Sequence, residues 1–355
     1  MMKKGLAVLM AGVMAMSLVA CGGSTEKKGE VPAAEAGKTE EKAEAAGGKK
    51  VLKVSHNFLS TQPLHKALQE ATKNIEERTN GEITFEIFEN AQIANGVDGA
   101  EQCMRGADLI NVYDLSCIGD WVPDYNALVG PFLFENADEY VEFCKGEWVQ
   151  SLNAKAEEQG IKVLAPDYCF GLRHIGTNKK VITSFEDMKG FKIRVPKSSL
   201  WVETFKALGS SPTAMGWSEI YNGLQTNVIE GMESSLSDIY DNQLDEVLNH
   251  ITLTGHFLGT AAVMMSADVF NTLTPEQQEI MVEEFEKGAA MNNELFAKAD
   301  EDARAAMEAD GIEFHEVDLA PFKEASKAYF DNMPGLSEGV YDTIMTELEA
   351  IRAAQ

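Results

Sequence analysis

GFKIRVPKSSLWVETFKALGSSPTAMGWSEIYNGLQTNVIEGME, running from Gly190 to Glu233, is the stretch whose reading decides the fold. Phe191, Ile193 and Val195 alternate with Lys192 and Arg194, and Pro196 then ends the run because it cannot donate a ladder hydrogen bond. This is a strand that carries Arg194 near its end on the face opposite its apolar side chains. Ser199 to Leu208 reads as a helix stopped at Gly209, Pro212 as a turn, and Ser218 to Thr226 as a second helix. Just upstream, Ser184-Phe185-Glu186-Asp187 supplies an N-cap with acids in the first turn, and Lys189-Gly190 supplies a basic last turn and a glycine stop.

The same alternation extends outward. Val51 to Val54 is β-rich, Gln62 to Thr79 is apolar at helical spacing until Asn80-Gly81 stops it, and Ile83 to Phe88 alternates at period two. Strand, helix, strand in this order specifies a parallel sheet with a crossover helix. Val97 to Arg105 is the next helix and Leu109 to Val112 the next strand. Late in the chain, Thr274-Pro275-Glu276-Gln277 combines an N-cap, a first-turn proline and a capping-box glutamine. It launches a helix expected to run unbroken to about Asp310, where Gly311 stops it. The fold class is α/β, built as two units with a long late helix.

The start of the chain has a different character. Met1-Met2-Lys3-Lys4 is basic, and Gly5 to Met16 is an apolar run too short to span a membrane but suited to a signal-peptide core. Leu18-Val19-Ala20-Cys21-Gly22 resembles a bacterial lipobox, which implies a signal peptide over residues 1–20, cleavage before Cys21 and lipidation of that cysteine; the alternative is an ordinary cleaved signal. Residues 22–50 hold only one large apolar side chain, Val31, and are expected to form a disordered tether. With Cys21 the tether occupies residues 21–50.

With 57 acidic and 30 basic side chains the formal charge is −27, which excludes a nucleic-acid partner needing a basic footprint. Cys103, Cys117, Cys144 and Cys169 have neither zinc-site nor redox-pair spacing, and buried free thiols are favoured over disulfides. The six histidines fall in no HExxH or other ligand spacing, so neither a metal nor another cofactor is expected. No GxSxG or GxGxxG context suggests an enzyme.

Several ordered motifs resemble the substrate-binding subunits of tripartite ATP-independent periplasmic (TRAP) transporters, of the DctP type. They are Gly190 to Pro196, Gly209, Pro212 to Met215, Glu219 to Tyr221 and Leu224 to Glu233, with Gly171-Leu172-Arg173 upstream and His56-Asn57 near the start. Glu230 departs from the family's usual aspartate. The resemblance spans nearly all of residues 51–355. It implies a periplasmic-binding-protein-like fold, with a first lobe at 51–171 plus about 260–301 and a second at 172–259 plus about 302–355. A ligand cleft is expected between them.

The resemblance further implies an extracytoplasmic protein that captures a small organic acid and delivers it to the membrane subunits of a TRAP permease for ion-gradient-driven uptake. It would be held at the outer face of the cytoplasmic membrane by Cys21, or lie in the periplasm. Arg194 would clamp the ligand carboxylate, for which a planar guanidinium is suited in a way lysine is not. The competing role for Arg194 is an internal pair with Glu233 or Asp187. Arg173 is a second ligand candidate, against a hinge or surface ion pair. Trp217 matches an aromatic position over the ligand, Ser234 falls where sialic-acid-binding members have asparagine, and Asn57, Tyr113 and Asp114 match first-lobe contacts. Tyr168 and Phe170 line the same wall or pack the core. The alternative functions are a surface-tethered hydrolase and a ligand-binding lipoprotein feeding a sensory receptor.

Overall fold

The computed structural model describes residues 49–354. The expected signal peptide, Cys21 and the part of the expected tether up to residue 48 lie outside the described residues, and Lys50 already belongs to the first strand. The chain opens with β1 (Lys50–Ser55), α1 (Pro63–Arg78), β2 (Ile83–Phe88), α2 (Gly96–Met104) and β3 (Leu109–Tyr113). Three helices, α3 (Asp124–Leu128), α4 (Ala137–Cys144) and α5 (Glu147–Glu158), lead into the 17-residue strand β4 (Ile161–Thr177). A second alternating unit follows: β5 (Lys192–Val195), α6 (Ser199–Ala207), β6 (Ser211–Ala214), α7 (Ile220–Gln225), β7 (Gly231–Ser234) and α8 (Leu236–Asp241). Another 17-residue strand, β8 (His250–Ser266), precedes α9 (Ala267–Asn271), α10 (Pro275–Ala309), β9 (Glu313–His315), α11 (Ala320–Asn332) and α12 (Val340–Ala354).

The nine strands among the described residues join one sheet in the order β2-β1-β3-β8-β4-β7-β5-β6, with β9 added beside β8. β1 pairs in parallel with β2 and β3, and β5 pairs in parallel with β6 and β7. These are two parallel units of the kind expected. They are joined by the antiparallel pair β4 and β8, and the register explains how. β3 meets β8 only over Ala262–Met265, and β7 meets β4 only over His174–Thr177. Between those ends, Tyr168–Arg173 of β4 and Phe257–Ala261 of β8 pair with each other through successive register shifts. Bulges of this kind bend and twist a ribbon, and Gly171 at φ +86° supplies one turn that a side chain would strain. The bridge between the lobes is therefore a twisted two-stranded segment.

Thr274 caps α10 through Gln277 N, and the reciprocal capping box forms as expected. The helix runs 35 residues, about 50 Å at 1.5 Å per residue. Ile280, Met281, Phe285 and Phe296 pack with β1, α1 and the first-lobe side of the sheet, whereas Ala303 and Met307 pack with Ile220, Leu224 and Ile239 of the second unit. One helix thus braces both lobes. α12 lies against α3 and α4, where Arg352 makes a two-pronged pair with Glu139, both at 2.9 Å. The four cysteines among the described residues are buried and free.

Two local readings are corrected. The Pro212 segment is a strand, β6, rather than a turn; it lies at the sheet's edge, where a missing N–H is tolerated. The segment at Phe185–Met188 is a single 3₁₀ turn, closed by the Ser184–Asp187 capping box.

Candidate functional site

A cavity of about 570 Å³ lies where β1, β3 and β5 end and against the bridge of β4 and β8. Loops after the carboxyl ends of parallel strands are where open α/β sheets hold ligands. Its wall contains Asn57 and Phe58 after β1, Tyr113 and Asp114 at the end of β3, and Arg194 with Pro196 to Ser198 at the end of β5. Phe170 and Arg173 come from β4, Leu258 to Ala261 from β8, and Trp201, Trp217 and Asp238 close the second-lobe side.

Arg194 is 3% exposed. Its Nε donates to the Met215 carbonyl at 3.0 Å, and its guanidinium lies 5.5 Å from the Trp217 ring centroid. Nη1 is buried and has no hydrogen-bond partner among the described residues. Burial pulls its pKa down to about 10, only partly offset by Glu233 and Tyr113, so it stays charged at neutral pH. A buried cation with an unpaired donor in a cavity wall is an anion site in waiting, because the missing bond costs free energy until an acceptor arrives.

The acid that could have neutralised Arg194 is committed elsewhere. Glu233 Oε2 accepts from Arg173 Nε at 2.6 Å, Oε1 from Arg173 Nη2 at 2.8 Å, and the Glu233 carbonyl accepts from the same Nη2 at 3.1 Å. His256 Nε2 approaches Oε2 at 3.4 Å. Burial works against both charges, but the mutual attraction prevails, raising the Arg173 pKa and lowering that of Glu233. Arg173 is also sandwiched over Trp201 at 4.7 Å and Phe170 at 5.6 Å. It is a fixed part of the wall. The competing Arg194–Glu233 pair does not form: the pairing of β4 and β7 sets Ile175 opposite Glu233, and Arg173, two residues before Ile175, takes the carboxylate.

The wall carries acids as well. Asp114 caps the short turn at Leu115–Ile118, accepting from Ser116 N at 3.0 Å and from its hydroxyl, and burial raises its pKa. Asp238, raised to about 6 chiefly by burial, accepts from Gln62 Nε2 at 2.8 Å and Ser234 Oγ at 3.1 Å. The Gln62 bond joins the first unit to the second, as does Ser116 Oγ to Ser198 Oγ at 3.2 Å. Ser198 also stands at the N-cap of α6, whose first-turn amides have no intrahelical acceptor.

Of the nine ligand candidates, Arg194, Arg173, Trp217, Asn57, Tyr113, Asp114 and Phe170 line this cavity. Two do not. Ser234 is fully buried behind the wall, where its hydroxyl supports Asp238. Tyr168 donates to the Phe285 carbonyl at 2.8 Å and packs in the core under α10. Simple alternation would give Tyr168 and Phe170, two residues apart, the same role, and both do pack in that core cluster; the register shift after Cys169 intervenes, and only Phe170 also reaches the cavity wall. Trp201, Phe58, Ser198, Lys197 and Asp238 were not foreseen; an aromatic in a helix and a serine before it look the same in the core as in a cleft.

Known proteins share this fold. Residues 54–334 match the model of the DctP family, bacterial extracellular solute-binding protein family 7. A TRAP periplasmic solute-binding protein of Fusobacterium nucleatum, solved with bound sn-glycerol-3-phosphate, is 39% identical with a TM-score of 0.83, covering 86% of this chain and 99% of its own. A second, from Desulfovibrio salexigens and in complex with diglycerolphosphate, is 36% identical with a TM-score of 0.83 over 86% and 98%. A third, from Ochrobactrum anthropi with bound L-fuconate, is 29% identical with a TM-score of 0.80 over 85% and 100%. The chain belongs to bacterial extracellular solute-binding protein family 7, the DctP family of TRAP-transporter substrate-binding subunits.

Proposed function

We propose that this protein encloses a small polyhydroxylated organic anion between its lobes, with the acid group on Arg194, and delivers it to the membrane subunits of a TRAP permease for ion-gradient-driven uptake. The observation that carries the reading is the buried Arg194 Nη1, unpaired in the wall of the cavity. Asn57, Tyr113 and Asp114 meet the ligand from the first lobe and Arg173 and Trp217 from the second. Phe170 and Trp201 form an apolar floor that holds the carbon skeleton. Asp114 and Asp238 accept from hydroxyl groups and disfavour a second acid group on the ligand, so a polyol carrying a single acid group fits better than a dicarboxylate. The lobes are residues 51–171 with about 260–301, and 172–259 with about 302–355, except that α12 packs on α3 and α4. Cys21 anchors the chain to the outer face of the cytoplasmic membrane.

The acid group itself has two readings. A carboxylate is supported by the L-fuconate relative. A phosphate ester of glycerol is supported by the relatives at 39% and 36% identity, and by Lys197, Ser198 and the N-terminus of α6 beside Arg194, which together offer donors to more than two oxygens. Calorimetric titration of the purified protein with sn-glycerol-3-phosphate, a glycerophosphodiester, aldonates, uronates and dicarboxylates tests both. One-to-one binding of a polyol acid, with the ligand recovered unchanged, supports capture for transport. Tight binding of only dicarboxylates would overturn the role given to Asp114 and Asp238, and conversion of the ligand would favour the hydrolase alternative.

A further inference from the structure

β9 is three residues long and distant in sequence from its neighbour, yet it assembles a ligand set away from the cavity. It runs parallel to the start of β8, with Glu313 opposite His250 and His315 opposite Thr252. Glu313 and His315 are two apart and share one face, while Phe314 turns inward against the cluster beneath α7 and α8. His250 Nδ1 lies 3.3 Å from Glu313 Oε2 and 3.3 Å from His315 Nε2, and His315 Nε2 lies 3.8 Å from Glu313 Oε2. None of the three lines the cavity described above. The spacing of histidines along the chain had suggested no ligand cluster; the pairing of β9 with β8 creates one.

We propose that His250, Glu313 and His315 bind a divalent transition metal of the zinc type. Zinc bonds to imidazole nitrogen and carboxylate oxygen are about 2.0–2.2 Å, which in a tetrahedron sets ligand atoms roughly 3.4 Å apart. Two of the three separations already match, and the third closes by a small rotation of the exposed Glu313 carboxylate. The facing histidine nitrogens can share one proton as a single hydrogen bond, whereas a metal ion would engage both nitrogen lone pairs and the carboxylate at once. Two imidazoles and one carboxylate select zinc, cobalt or nickel over calcium and magnesium, which prefer all-oxygen sites. The fourth position opens to solvent. Because His250 and His315 are 65 residues apart, the ion would staple the chain emerging from α10 to the second-lobe end of the sheet.

The test uses metal-free purified protein titrated with Co²⁺ as a spectroscopic probe and with Zn²⁺. One equivalent of Co²⁺ is expected to give the visible absorption of a tetrahedral site, Zn²⁺ to abolish it by displacement, and Zn²⁺ to raise the melting temperature. His250→Ala and His315→Ala should each lose the signal, and Glu313→Gln should weaken binding at least tenfold. Metal-free variants melting with metal-free wild type separate a lost ligand from a lost fold. The proposal is overturned if wild type shows no saturable one-equivalent site, or if the His250→Ala, His315→Ala double variant binds Zn²⁺ as wild type does.

Discussion

Replacing Arg194 by methionine should remove solute binding while sparing the fold, and the structure sets both magnitudes. Burial brings the Arg194 pKa to about 10 from the usual guanidinium range. At about 1.4 kcal/mol per pH unit, the charged form is disfavoured by roughly 3 kcal/mol before any ligand arrives. Methionine relieves that cost and keeps most of the apolar stem against Trp217, but leaves the Met215 carbonyl without its donor, a loss of about 1–3 kcal/mol. The two nearly cancel, so the unliganded variant should melt within a few degrees of wild type. The ligand, in contrast, loses a charge-assisted pair in a closed site, worth about 2–5 kcal/mol, or roughly 30-fold to several-thousand-fold in Kd. Calorimetry gives the affinity and differential scanning the stability. The reasoning is refuted if affinity changes less than threefold, or if the unliganded variant is destabilised as strongly as one lacking a core side chain.

Other substitutions separate binding groups from supporting ones. Glu233→Gln strands the Arg173 guanidinium in a buried site and should destabilise by about 3–5 kcal/mol, visible as a large drop in denaturant midpoint; an unchanged midpoint would mean the pair is not a structural anchor. Ser234→Ala should change solute affinity less than Asp114→Ala does, because the serine reaches the ligand only through Asp238; the reverse order would restore Ser234 to the ligand contacts. Asp300, held by Ser237 N at 2.9 Å and Oγ at 2.7 Å, has its pKa raised to about 6 mainly by burial. The folded state therefore binds the extra proton between pH 6 and about 4, so this group's destabilising charge is fully present above pH 6 and fades below it. Asp300→Asn should accordingly be more stable than wild type at pH 7.5, by up to about 3 kcal/mol, with the gap closing by about pH 4. A pH-independent gap in paired melts would contradict that assignment.

Much of this architecture was legible because local signals agreed with the final packing. β2 was bounded as read, α10 ended one residue early, and Arg194 stood out as the polar side chain at the end of a short apolar strand. β4 and β8 escaped notice for a physical reason. Both are buried along most of their length, interrupted by glycines and shifted in register, so neither period two nor a clean apolar run marks them. The bridge they form could not be placed without knowing which strands flank each end. Pro212 suggested a turn because only the sheet order shows β6 to be an edge. In the site, residue type identified cations and acids but could not assign partners: Glu233 stood as a competing partner of Arg194, and only the pairing of β4 and β7 gives it to Arg173. Tyr168 and Phe170, two residues apart, look equivalent by alternation; the register shift that follows Cys169 could not be read from the sequence.

The most direct measurement is a crystal structure of the protein with the tightest-binding anion from the titration panel. The account predicts the acid group about 3 Å from Arg194 Nη1, the carbon chain over Phe170 and Trp201, and hydroxyl groups on Asp114 or Asp238, with Arg173 still paired to Glu233. An acid group bound elsewhere, with Arg194 Nη1 unpaired and the anion on Lys197 or Arg173 alone, would contradict it.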